Sequence, residues 1–267
     1  MSNIKKLSLL ALAFLLVGVM GAFITFGSLE KQSSISEEKV IDNPNITAVQ
    51  VEAGNAAIEI LPTTDGAATV VLSGTGNDHM KQRFSAEVEG TTLAVKLESQ
   101  QLKLFNFDFR FKPLTVKILL PEKVYESLQI DSNNGRVKVE KVNVNNVKAE
   151  LNNGMITLKH IGANAVDVES DNGKIQLEYV EGAIKGKTSN GRISVVTKDL
   201  ERTMQLGSNN GSIEIQTEKD PVDVAFDVHV DNGRIDILDK YEGNAVIGKG
   251  THVIKLTTNN GRITVTR

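Results

Sequence analysis

Five basic side chains stand at the same place in a repeated motif, directly after an Asn-Gly pair. They are Arg136, Lys174, Arg192, Arg234 and Arg262. Rows of guanidinium and ammonium groups bind phosphate and carboxylate groups through charge-assisted hydrogen bonds. If the repeats stack, these five side chains form one basic strip, which would suit an anionic polymer or phospholipid headgroups.

A second interpretation gives the basic strip no ligand. Four acidic residues lie close to it in the sequence, so the two sets could pair on the surface at little energetic value. These acids are Asp131, Glu169, Asp171 and Asp231. The sequence leaves both interpretations open.

Other site chemistries have less support. Cysteine is absent, which excludes thiol nucleophiles, disulfides and Cys-ligated metals, and the four histidines lack metal-binding spacing. Aromatic residues make up 4% of the chain, and its net charge of −3 provides no basic field for nucleic acid. The acids are dispersed along alternating segments that point them to solvent, and the glycine pattern of calcium-binding β-rolls is missing. We therefore predict no catalytic, cofactor-binding or metal-binding residues.

Internal repetition is the strongest feature of the sequence and must position the strip. The pattern Asn-Gly-x-(Ile/Val)-x-apolar occurs seven times, with successive glycines 19, 19, 18, 20, 22 and 28 residues apart. The pairs are Asn134 and Gly135, Asn153 and Gly154, Asn172 and Gly173, Asn190 and Gly191, Asn210 and Gly211, Asn232 and Gly233, and Asn260 and Gly261. Asn and Gly tolerate positive φ and favour a turn, and alternating runs on either side favour strands.

Two architectures fit this unit of strand, turn, strand and turn. In a meander or sandwich, each Asn-Gly pair is a two-residue hairpin. In a β-solenoid, each unit is one coil, and equivalent residues stack about 4.8 Å apart. The solenoid is favoured, because stacked Ile and Val build one core and stacked Asn side chains can hydrogen-bond along the axis.

The flanks of the repeat domain, which we place at 121–267, are less regular. A degenerate motif begins at Asn55, and the strand-like runs of residues 46–120 predict an irregular N-terminal β cap. The wide last spacings predict loop insertions around Lys219–Pro221 and Lys240–Gly250. Because the chain stops shortly after the seventh motif, we expect little cover at that end, which an oligomer or a partner could bury.

One aromatic run stands apart from the repeat. Phe105, Phe107, Phe109 and Phe111 alternate strictly and would project from one face of a strand. We expect them to pack as core between the cap and the first coil. The alternative is an exposed apolar strip for a partner or a bilayer.

The N-terminus predicts a membrane anchor. Lys5 and Lys6 precede an uncharged run from Leu7 to Leu29, which as a helix would span roughly 34 Å, enough for the roughly 30 Å hydrocarbon core of a bilayer. The positive-inside rule puts the tail 1–6 in the cytoplasm and the repeat outside. We expect an uncleaved signal-anchor helix at 7–29 and a polar linker at 30–45. A cleaved secretory signal is the alternative.

The motifs resemble the bacterial putative-adhesin family of β-strand repeat domains of unknown function, and most closely its LiaG-type, membrane-anchored members. The similarity covers roughly residues 46–267 and rests on the anchor and on the strings DNGKI, SNGRI, NNGSI and DNGRI. It implies a place at the cell envelope, in some relatives beside genes for antibiotic-stress signalling. It supplies no catalytic residues.

The combined expectation is an all-β protein, a β-solenoid (β-helix-like) repeat domain with an irregular N-terminal β cap, preceded by one transmembrane helix. It would cross the cell membrane once, with its repeat extracytoplasmic. Its expected function is adhesin-like binding or scaffolding at the envelope, linked to a stress response. Its expected partners are the lipid bilayer and cell-wall polymer or envelope membrane proteins, and not nucleic acid.

Two alternatives to this function stay open. A polysaccharide-active β-helix enzyme would need a groove with two carboxylates within about 10 Å of each other. A self-assembling solenoid scaffold would stack end to end into filaments or homo-oligomers.

Overall fold

The computed structural model describes residues 14–15, 17–19, 33–76, 83–98 and 114–267. Apart from helical residues among 14–19, the regular structure of this part is β-strand. The strands are β1 (Ser33–Ile41), β2 (Ala48–Thr63), β3 (Ala68–Gly76), β4 (Phe84–Glu89), β5 (Thr92–Leu97), β6 (Leu114–Pro121), β7 (Val124–Glu140), β8 (Asn143–Ile161), β9 (Ala165–Val180), β10 (Ala183–Thr197), β11 (Met204–Asn210), β12 (Ile213–Thr217), β13 (Val224–Ile237), β14 (Ala245–Ile247) and β15 (His252–Thr266). The prediction of an all-β protein is confirmed.

The repeat forms parallel ladders in strict register. In the order β2, β7, β8, β9 and β10, each strand pairs parallel with the next. Asn134 pairs with Asn153, and Asn153 pairs with Asn172. The Asn-Gly pairs are therefore bends within one solenoid layer, and the hairpin alternative is wrong for the repeat.

Each layer has two arms that meet at the Asn-Gly bend. In β8, the first arm buries Ala149 and Leu151 and the second buries Ile156 and Leu158, so the parity of the buried positions changes at the bend. Both arms face one continuous core. The second residue after the Asn-Gly pair is fully buried in most layers, and each such side chain contributes about 1.5–3 kcal/mol. These residues are Ile58, Val137, Ile156, Ile175, Ile193, Ile213 and Ile263.

The N-terminal section extends both arms beyond the repeat. β2 is itself a complete layer, in which Asn55 is in register with Asn134. On its other side, β5 pairs with the first arm of β2 and β6 pairs with the second. The antiparallel strands β4, β3 and β1 then cover this layer and close the edge of the stack.

Strand β1 corrects the linker expected at 30–45. All of Ser33–Ile41 pairs antiparallel with β3, and Ile35 is buried. The polar composition of this segment predicts a spacer. An edge strand, however, needs few apolar residues, because its outer side faces solvent.

The C-terminal end has a crossed chain order. β13, which carries the sixth motif, is the outer layer, and β15, which carries the seventh, lies between β11–β12 and β13. Strand β14 covers the start of β13. The expectation that the seventh motif lies at the exposed end is therefore wrong, because that motif is an inner layer; the end itself is formed by β13, which β14 covers only at Val224–Phe226. The connection at 218–223 leads from β12 past one layer position to β13, and the connection at 238–251 leads back to β15, which fills that position.

Two expectations fall largely on residues outside the described part. The alternating phenylalanines at 105–111 lie wholly outside it. The anchor at 7–29 is described only at 14–15 and 17–19, and no helix in the described residues has the length and apolar character to cross a membrane.

Candidate functional site

The Asn-Gly corner is held by close packing of backbone on backbone. A Cβ atom on Gly154 would lie 1.9 Å from the carbonyl oxygen of Gly135, and one on Gly191 would lie 1.7 Å from that of Gly173. Gly154 also has a φ of 134°, which L side chains rarely adopt. Only glycine lets successive layers approach at this corner, so the motif fixes the position of the residue that follows it.

An Asn ladder runs along the outside of the same corner. The Nδ2 amide of each Asn donates a hydrogen bond to Oδ1 of the Asn in the preceding layer, at 2.9–3.1 Å for the six bonds above the first pair. The order along the stack is Asn55, Asn134, Asn153, Asn172, Asn190, Asn210, Asn260 and Asn232. The ladder confirms that stacked Asn side chains hydrogen-bond along the axis.

The basic strip occupies one column beside the Asn ladder. Its order along the stack is Ala57, Arg136, Met155, Lys174, Arg192, Ser212, Arg262 and Arg234. From Arg136 to Arg234 there are six steps of about 4.8 Å, or roughly 29 Å. The four arginines are exposed and Lys174 is half-buried. The structure therefore brings all five predicted cations together on one edge.

Most of the strip has no acidic partner in the described residues. Arg192 alone makes an ion pair, with its Nε 3.4 Å from Glu214 Oε1, and it also donates to Ser212 Oγ at 3.1 Å. Three of the four acids that could have neutralised the strip contact other residues: Glu169 pairs with Lys187, Asp231 contacts His229, and Asp131 accepts a hydrogen bond from Gln129. Within the described residues, surface pairing therefore accounts for Arg192 and for none of the other four strip cations.

The cations on the two arms behave differently, because they lie beside carboxylates. Lys148 contacts Glu150 at 2.7 Å, and Lys185 contacts Asp167 at 2.8 Å. These hydrogen bonds raise the pKa of both lysines above its ordinary value. The positive charge of these arm lysines is thus locally neutralised, whereas most of the positive charge at the corner is available to an anion.

A cavity of about 600 Å³, which the sequence analysis missed, lies near the capped end. It is bordered by Glu52, Asp131 and Glu150, which stack in adjacent layers, and by Arg83 and Lys96 of the β4–β5 hairpin. The first two carboxylates accept hydrogen bonds from glutamine amides of their own strands. No repeated motif marks the hairpin, so the sequence had no feature that could predict this cavity.

Neither the strip nor the cavity resembles a metal centre. Among residues 33–76, 83–98 and 114–267, no group of three or more His, Asp or Glu side chains is placed to hold a metal ion. The chemistry available at the corner is reversible binding of anions by exposed cations.

Comparison with known proteins adds a family. The family model described as Toastrack DUF4097 matches residues 46–183 and 162–266 of this chain. A solved putative cell adhesion protein from Clostridium sporogenes is 14% identical, with a TM-score of 0.42 over 88% of this chain and 99% of that one. A putative adhesin from Bacteroides fragilis is 14% identical, with a TM-score of 0.45 over 89% and 97%. None of the curated proteins matches the chain.

Proposed function

The chain belongs to the Toastrack DUF4097 family, and from this premise we propose that it is an adhesin-like envelope module whose basic strip binds an anionic polymer. The polymer class is one with repeated phosphate or carboxylate groups. The proposal places the domain outside the cell, on an N-terminal membrane anchor, in a binding or scaffolding role. A link to envelope stress extends the proposal and rests on the resemblance of the sequence motifs.

One observation carries this function: four of the five strip cations have no ion-pair partner in the described residues, whereas five lysines on the arms pair with carboxylates. Arg136, Lys174, Arg234 and Arg262 make no ion pair within the described residues, although the whole chain is net negative. Single surface ion pairs contribute little, but several at once on a single polymer add their contributions. A column of roughly 29 Å suits a long chain of anionic units better than a small molecule.

The proposed anchor would set the orientation of the domain. Residue 29 is the last of the proposed helix and β1 begins at Ser33, so that at most about 14 Å of chain separates them. The capped end would then face the bilayer and the strip would extend away from it. The chain has no cysteine, so single cysteines placed at Ser34 and Thr266 can be labelled selectively. Impermeant labelling of both in intact cells supports the extracytoplasmic placement of the domain, and protection of Thr266→Cys contradicts it.

The binding experiment changes all five strip residues to Gln. Because several charge contacts are lost together, we expect binding to polymeric glycerol phosphate to weaken about tenfold or more, with a shallower salt dependence. Vesicles of phosphatidylglycerol, tested in parallel, separate a polymer from a lipid headgroup as the source of phosphate. Co-sedimentation with purified wall material measures the same loss in its native setting.

A matched control exists on the arms. Changing five paired lysines to Gln alters the net charge by the same amount but removes cations that already face acids. These are Lys138, Lys148, Lys185, Lys187 and Lys255. The control should bind nearly as the native protein does. Equal loss in both variants would mean that only net charge matters, and the strip would have no specific role.

The cavity favours a second candidate, a polysaccharide-active enzyme. Glu52 and Asp131 come from adjacent layers, close enough for a carboxylate pair. Both carboxylates, however, already accept hydrogen bonds from glutamine amides of their own strands. If the chain released reducing ends from wall polysaccharide, and Glu52→Gln abolished the release, the enzyme would replace the binding module.

A further inference from the structure

We propose that Asn232 is a site of spontaneous covalent modification, at which its side-chain amide is converted to a carboxylate. The other six Asn-Gly pairs carry the same reactive groups but are protected by their place inside the Asn ladder. The inference is independent of the proposed polymer binding. It rests on the crossed order of the last layers.

The chemistry needs only the Asn-Gly pair and water. The backbone nitrogen of Gly233 attacks Cγ of Asn232, a new C–N bond closes a five-membered succinimide, and Nδ2 leaves as ammonia with the proton from the glycine nitrogen. Water then opens either carbonyl of the ring. The products are aspartate and isoaspartate, and no oxidant or reductant is required. Glycine permits the attack because it has no Cβ to block the ring.

Inside the ladder, both reacting groups are held. The amide of Asn172 donates to Asn153 and accepts from Asn190, so its side chain is fixed at both ends. The glycine nitrogen is held too: Gly211 donates its N–H to the carbonyl oxygen of Asn260 in the next layer, at 2.9 Å. The attack would need both bonds to break.

Asn232 lies where the ladder ends. Its Nδ2 donates to Asn260 Oδ1 at 3.1 Å, but in the described chain no further Asn donates to its own Oδ1. β13 is the outer layer, and β14 pairs only with Val224–Phe226, well before the corner. The N–H of Gly211 points towards the next layer of the stack. The equivalent N–H of Gly233 therefore points out of the end of the stack, where no layer follows. The terminal pair thus lacks the restraint that a next layer gives the others.

The sequence provides a matched internal control. Asn172 and Asn232 are each preceded by Asp and followed by Gly and a basic residue, and both side chains are exposed. The local sequence is therefore closely similar at the two sites, and both asparagines are exposed. Gly173 is half-buried under the next layer, whereas Gly233, at the end of the ladder, is exposed.

The test is peptide mapping by mass spectrometry of the full chain during incubation at mildly alkaline pH. We expect conversion at Asn232 to be about fivefold faster than at Asn172 or faster, since one neutral hydrogen bond corresponds to about that factor. In urea, where the ladder is lost, the two rates should become equal. Equal rates in the folded protein would overturn the proposal.

A variant separates the ladder from other properties of the chain end. Asn260→Ala removes the amide that donates to Asn210 Oδ1 but leaves the backbone of β15 in place. Conversion at Asn210 should then rise, while Asn172 stays unchanged. If conversion at Asn210 stays slow in a variant whose circular dichroism is native, the hydrogen bonds between the side-chain amides do not protect these sites and the proposal fails.

Discussion

At the scale of residues, the corner glycines are required by the distance between layers. The carbonyl oxygen of Gly135 lies where a Cβ atom on Gly154 would be. Carbonyl groups in a β-ladder cannot move away without losing their hydrogen bonds. The Asn side chains next to them are held by solvent-exposed hydrogen bonds between amide groups, which contribute less to stability. The corner therefore depends mainly on the absence of a Cβ atom at glycine, and less on the hydrogen bonds between asparagine side chains.

Gly154→Ala should destabilise the domain strongly. The added methyl group meets the oxygen of Gly135 and the residue must keep a φ of 134°, so we expect a loss of roughly 3 kcal/mol or more in the free energy of unfolding. Urea denaturation measures it. Gly207→Ala is the control, because Gly207 has nothing within 4 Å of its Cβ position and should be neutral or slightly stabilised.

Tyr125 makes stability depend on alkaline pH. Its ring is 2% exposed, its hydroxyl donates to Pro121 O at 3.0 Å, and burial raises its pKa from 10.0 to about 12. The folded state therefore holds the phenol proton more tightly than the unfolded state. That stabilisation is complete below pH 10, and about 2–3 kcal/mol of it is lost as pH rises to about 12.

Tyr125→Phe tests this dependence. The variant should lose the extra fall in stability between pH 10 and 12, at the cost of about 1 kcal/mol at neutral pH for the carbonyl left unpaired. Chemical denaturation at a series of pH values gives the comparison. Parallel curves for the two proteins across that range would show that Tyr125 titrates as it does in the unfolded chain.

At the scale of elements, the crossed layers make β13 dependent on β15. β13 has β15 as its parallel neighbour, whereas inner layers such as β8 have one on each side. In stacked repeats, stability comes from the layers and from the contacts between neighbours. Weakening β15 should therefore release β13 and β14 with it, although both come earlier in the chain.

Ile263→Ala in β15 tests the dependence. Ile263 is fully buried, and its truncation should cost roughly 2–5 kcal/mol. Hydrogen exchange should show β13, β14 and β15 losing protection together, while β8 and β9 keep theirs. Retained protection in β13 would mean that it is held by contacts other than β15.

The elements also show where sequence reasoning succeeds and fails. The seven motifs predict the solenoid, because only stacking explains identical residues at identical places. They do not predict the order of the last two layers, because Asn232 and Asn260 belong to equivalent motifs that fit either position. Only the lengths of the two insertions carry that information. The basic strip was predictable from its spacing, but its lack of partners was not, since that depends on which way Glu169 and Asp231 face.

At the scale of the whole molecule, the two arms of the layers share one core and meet along a charged edge. Several arm lysines pair with carboxylates, whereas four of the five corner cations have no ion-pair partner in the described residues, so unpaired positive charge is concentrated on the line where the arms join. Salt should weaken the proposed binding at this edge more than it affects the fold, whose stability comes from buried aliphatic columns. The residues that stabilise the fold are thus distinct from those of the proposed binding strip.

The crossed order also has a temporal consequence. During synthesis β13 emerges before β15, yet the place beside β11 and β12 belongs to the later segment. β13 must therefore either remain unpaired until β15 has been synthesised, or pair first at the position beside β11 and β12 and later be displaced from it. The layers are therefore not added in the order in which they are synthesised. The outermost coil, β13, reaches its final position only after β15 has inserted between it and the rest of the stack.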